Sequence, residues 1–201
     1  MARKAIVFLL ALALVVVVLE RGAPAQEAPA ERRPYTDDSP WNLKIGPDPA
    51  YDKSSDELVA SLHGPFGCDP TKYTYPVYDG VNEKTERKTV WISGVYSNVT
   101  EKGRALRVEK RVSVSVPVPV RAEPSPGRDS QLIVIDPRAG DEWGFWQFQR
   151  RADGSLTARN GYHYSVNWSG VAPLGFCSRG AGAPYLAGLI RPWEIRQGHI
   201  N

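Results

Sequence analysis

The chain has 201 residues, 42% of them hydrophobic and 23% charged, with a formal charge of +3. No element clusters Lys and Arg as a nucleic-acid surface would, so nucleic acid is not an expected partner. Seventeen prolines and eighteen glycines argue against a helical bundle and fit a loop-rich β fold.

The N-terminus reads as an export signal. Arg3 and Lys4 form a positive start, residues 5–19 are an unbroken apolar run, and Ala23-Pro24-Ala25 offers a small-residue cleavage site. The run is short against the roughly 20 residues a membrane helix needs. A cleaved signal over 1–25 is therefore expected, and contact with a membrane only if it is not cleaved. Without those residues, which hold Arg3, Lys4, Arg21 and Glu20, the charge falls to near +1. Residues 26–38 are polar and proline-containing, with no apolar period, and read as a flexible linker.

The domain is expected over 39–201. Residues 54–62 carry Ser54, Glu57 and then Leu58, Val59 and Leu62, the pattern of a short capped helix. Residues 73–78 and 89–96 are rich in aromatic and β-branched side chains and predict strands. Over 107–120 the period is two: Val112, Val114, Val116, Val118 and Val120 share one face, and Pro117 and Pro119 push the strand towards a sheet edge. The run 131–135 predicts a strand buried on both sides. Strands follow at 142–149, 155–158 and 162–168, with turns at Asp153-Gly154 and Asn160-Gly161. Pro192 and Gly198 bracket a last short helix whose apolar residues, Ile195 among them, read as entering a core. An apolar start of a further element follows at Ile200, which predicts a truncated C-terminus. The order predicts an all-β fold, an antiparallel β-sandwich or jelly roll with one or two short peripheral helices.

Several blocks recur in a fixed order: SPWNLKI at 39–45, DPTKYTYPVY at 69–78, VSVPVP at 114–119, DSQLIVIDP at 129–137, EWGFWQ at 142–147 and GLIRPWEI at 188–195. Together they resemble a family of secreted, uncharacterised bacterial β-sandwich proteins. The resemblance implies the fold and export and supplies no activity. Such relatives carry Asp-Gly-His where this chain has Asp129-Ser130-Gln131, so no role of that histidine passes to this chain. They also continue beyond the last block.

Cys68 and Cys177 both follow the signal, and an oxidising compartment favours a disulfide between them. Neither has a second cysteine nearby, and His63, His163 and His199 lack ligand spacing, so no transition metal and no cofactor are expected.

Two stretches carry candidate chemistry. From 136 to 148, Asp136 and Glu142 accompany Trp143 and Trp146, with Arg138 and Gln147 beside them. Indole faces stack on sugar rings, and two carboxyl groups roughly 5–9 Å apart can hydrolyse a glycosidic bond. From 162 to 168, His163 and Tyr164 are the acid and base types of a polysaccharide lyase, with Asn167 and Trp168 as further sugar contacts. The bland alternatives are aromatic side chains in the core and a histidine that is merely hydrogen-bonded. The expected function is a secreted or cell-surface carbohydrate-active protein, a lyase or glycoside hydrolase, whose partner is an extracellular polysaccharide or cell-wall glycan. The alternative is a non-catalytic glycan-binding or cell-surface structural module, in which the tryptophans would be buried and the carboxylates scattered.

Overall fold

The computed structural model describes residues 33–198 apart from 65, 66, 68, 70, 73, 95, 98, 101, 104–110, 174, 175, 177 and 178. The expected export signal, both cysteines of the expected disulfide, and His199 lie outside the described residues. The regular elements among the described residues are mostly strands, with two short helices, α1 (Ser55–Ser61) and α2 (Pro192–Gln197).

Among the described residues eight strands form two mixed four-stranded sheets. The first has the order β1 (Val77–Tyr78), β4 (Leu132–Asp136), β5 (Asp141–Trp146), β8 (Asn160–Ser165). The second runs β3 (Val112–Pro117), β2 (Arg87–Ile92), β7 (Leu156–Ala158), β6 (Gln149–Arg150). Pairing is antiparallel except for β1 with β4 and β2 with β7, which are parallel. The expectation of purely antiparallel sheets is corrected at those two pairs. The β2–β7 pair joins strands far apart in the chain, and β1 keeps only the last two residues of the strand expected at 73–78.

One core is shared by both sheets. Val90, Ile92, Val116, Leu156 and Ala158 of the second meet Leu132, Val134, Trp143 and Phe145 of the first. A second core lies on the other face of the first sheet, where Ile133, Tyr162 and Tyr164 meet Tyr35, Phe176, Tyr185 and Leu186 from the flanking segments. Strand β4 is accordingly buried on both sides, as its continuous apolar run predicts, with Leu132 and Val134 in one core and Ile133 in the other. Strand β3 is an edge, where Pro117 at its end belongs, and Pro119 lies just beyond it.

Five local expectations change. The expected strand at 142–149 is two strands in different sheets. Gln147 between them is left-handed, with φ of 53°. Its N–H and that of Phe148 bond to the carbonyls of Asp129 and Ser130, at 2.7 and 3.0 Å, rather than continuing the ladder. Because a side chain at positive φ is strained, Gln147→Gly should leave the chain as stable or raise its stability by about 1 kcal/mol. Chemical denaturation reads this directly.

Asn160-Gly161 is no turn: both lie in β8, and the chain crosses between sheets at Arg159. Val120 ends outside the core at 73% exposure, beyond the strand that aligns the other valines. The last helix buries Glu194 rather than Ile195, because the Glu194 carboxylate accepts the Arg191 N–H at 2.8 Å and caps the first turn. Of the residues assigned to the linker, those from 33 to 38 are described, and Tyr35 among them reaches into the fold. Tyr35 is buried, and its N–H donates to the Val166 carbonyl at 2.6 Å.

Candidate functional site

Strands β5 and β8 carry Glu142, Trp143, Trp146, His163 and Tyr164, and their register decides which of them meet. Glu142 lies opposite Tyr164, Trp143 opposite His163 and Gly144 opposite Tyr162. Side chains alternate along a strand, so Glu142, Tyr162 and Tyr164 share one face of the sheet while Trp143 and His163 share the other.

On the first of these faces Glu142 is fully buried. One carboxylate oxygen accepts the Tyr35 hydroxyl at 2.9 Å. The other accepts the Tyr162 hydroxyl in a short contact, and the Leu186 N–H at 3.4 Å. The Tyr162 oxygen in turn accepts the Tyr185 N–H at 2.5 Å. Arg179 closes the arrangement by donating to the carbonyls of Tyr185 and Ala187, at 3.1 and 3.2 Å, with its guanidinium over the rings of Tyr75 and Tyr185. Burial pushes the Glu142 carboxyl up to about 7, against the pull of the Tyr162 and Tyr35 hydrogen bonds. Burial likewise holds both phenols above the ordinary tyrosine range.

Glycine makes this geometry possible. A Cβ on Gly144 would sit 2.2 Å from a ring carbon of Tyr162 and 2.7 Å from its hydroxyl oxygen. The ring lies flat on the neighbouring strand and reaches Glu142 only because that space is empty.

A carboxyl held near neutrality is the pattern of a general acid. Here its partners are phenols and backbone amides of the chain itself, and no part of it faces solvent. Glu142 ties three segments together: the N-terminal segment through Tyr35, β8 through Tyr162, and the 185–187 turn.

On the opposite face the imidazole of His163 stacks on Trp143, with ring centroids 4.8 Å apart and planes 14° from parallel. Its Nε2 lies 3.0 Å from Asp141 Oδ1, which also takes the Lys102 ammonium. Burial holds the imidazole below its ordinary range, although Asp141 pulls the other way. Trp143 is 1% exposed, so it is core and offers no platform for a sugar.

The remaining candidates are dispersed. Asp136 is buried and caps the turn after β4, accepting the N–H groups of Arg138 and Ala139 at 3.2 and 3.4 Å. Arg138 points outwards beside a shallow depression that Asn82, Glu83 and Lys84 also line. Trp146 donates its indole N–H to Asp129 at 3.0 Å, and Gln147 occupies the kink. Tyr164 is buried, its hydroxyl donating to the Val171 carbonyl at 3.2 Å. Asn167 and Trp168 stand on the loop after β8, where the half-exposed Trp168 packs edge-on against Tyr164. His163 and Tyr164 project from opposite faces of one sheet, as their alternation along the strand implies, so the two do not flank one bond.

Tyr35, Tyr162, Tyr185 and Arg179 were not expected to meet Glu142. The only sequence signal was Glu142 followed two residues later by a glycine, with tyrosines on the next strand. Among the described residues no three His, Cys, Asp or Glu side chains come together as a metal would require. No protein-family model matches the chain, and no curated protein or solved structure matches it.

Proposed function

We propose that this chain is an exported β-sandwich module that binds extracellular glycan without cleaving it. The observation that carries the reading is the division of the acid–base candidates: Glu142 and Tyr164 lie on one face of the first sheet, His163 on the other. A lyase or hydrolase needs its acid and its base within reach of one substrate. The sharing of one core by both sheets favours the sandwich arrangement. Aromatic surface for sugar contact remains at Trp91 and Trp168, each about two-fifths exposed.

The test offers the whole chain a panel of soluble and insoluble polysaccharides, scoring both retention and release of reducing or unsaturated ends. Retention on at least one glycan with no product is the expected result. Product release that depends on His163 or Glu142 would overturn the reading in favour of an enzyme.

A further inference from the structure

We infer that the outer face of the second sheet is a binding platform for an acidic, uronate-bearing polysaccharide laid across its strands. This rests on the glycan-binding reading and names its surface and ligand class. The register sets a row across all four strands: Ser113 opposite Trp91, Trp91 opposite Thr157, and Thr157 opposite Gln149. Their chain neighbours Val90, Ile92, Leu156 and Ala158 are buried in the shared core, so this row points away from it. Neither hydrophobic core includes any of the four. Three interstrand steps make the row about 14 Å long, room for a short oligosaccharide rather than a single ring.

The chemistry along the row suits a polyhydroxylated chain. Trp91 supplies an apolar stacking face at its middle, 40% exposed and fixed on a strand. Two hydroxyls and one amide flank it, each able to donate and accept.

Charge selects the ligand. The four strands hold no carboxylate. Of their cations, Lys88 and Arg150 alternate onto the core side, opposite Val116 and Leu156. The Arg87 guanidinium bonds Ser115 and lies 5.6 Å from the Trp143 ring centroid, so the ligand-selecting charge is that of the arginines beyond the strand ends. Just beyond the strand ends Arg111, Arg151 and Arg159 are exposed, and the Arg111 guanidinium lies 4.7 Å from the Trp91 ring centroid. Glu86, next to β2, is paired with Lys88 at 3.5 Å. A uronate carboxylate matches guanidinium groups bidentately, while a neutral glucan leaves them without a partner.

Affinity electrophoresis of the whole chain through gels containing polygalacturonate tests this, with a neutral β-glucan gel, a single-stranded DNA competitor, and the variants Trp91→Ala and Trp41→Ala. Polygalacturonate should retard the chain, less so as ionic strength rises. Trp91→Ala should raise Kd about tenfold, the scale of one lost aromatic anchor, and leave the thermal midpoint unchanged. Trp41→Ala, on a separate surface loop, should bind as the parent does. Four results overturn the proposal while leaving glycan binding intact: retardation by the neutral glucan instead, indifference to Trp91→Ala, loss with Trp41→Ala alone, or displacement by DNA at matched charge. No retardation by any glycan ends both this proposal and the reading beneath it.

Discussion

Stability should fall as pH rises from about 5 to 8, and Glu142→Gln should remove that fall. The Glu142 carboxyl sits at about 7 in the folded chain against an ordinary value of 4.5, so between these limits the folded state holds a proton the unfolded state has released. Its contribution is complete below pH 4.5 and is lost as pH climbs through 7, a change on the order of 3 kcal/mol. His163 acts in the opposite sense. Its folded value is depressed, so its contribution is lost on acidification. The difference between parent and Glu142→Gln profiles therefore isolates the carboxyl. Denaturant unfolding at a series of pH values measures it, and parallel profiles would show that Glu142 does not titrate in this window. Glu142→Ala should cost more at every pH, about 3 kcal/mol or above, because the Tyr35 and Tyr162 hydroxyls lose their acceptor inside the core.

Gly144→Ala is the second large effect. The added methyl would occupy the space of the Tyr162 ring, which is pinned by its hydroxyl on Glu142 and by the Tyr185 N–H. Moving the ring releases those bonds along with the packing of Phe176 and Tyr185 against it. We expect a loss of about 3 kcal/mol, at the upper end for overpacking. The double variant Gly144→Ala/Tyr162→Leu should be distinctly less unstable than the two single costs combined, since the clash vanishes with the ring. Additive costs would mean that the ring does not lie over Gly144.

Much of the secondary structure was legible in the residues. Residues 132–136 formed the doubly buried strand their apolar run predicted, and Pro192 and Gly198 bounded the last helix. Local pattern failed where long-range contacts decide. Gln147 carries no turn signal, and its kink follows from the bonds of Gln147 and Phe148 to Asp129 and Ser130, each eighteen residues away. Asn160-Gly161 has a turn composition, yet Gly161 sits in a strand because Phe145 and Val99 fill the space a side chain would need.

The candidate site was legible only in part. The alternation of His163 between Tyr162 and Tyr164 already divided the strand's faces. Which face each joined depended on two cores formed by distant segments. Tyr35 shows the limit most clearly: one aromatic in a polar leader reaches a carboxyl 107 positions later.

The division of faces is tested most directly by side-chain NOE spectroscopy on the labelled chain. Contacts should link Trp143 with His163, and Tyr35 with Tyr164, with no contact between the two sets. A His163–Tyr35 contact would place the imidazole on the Glu142 side and contradict the account.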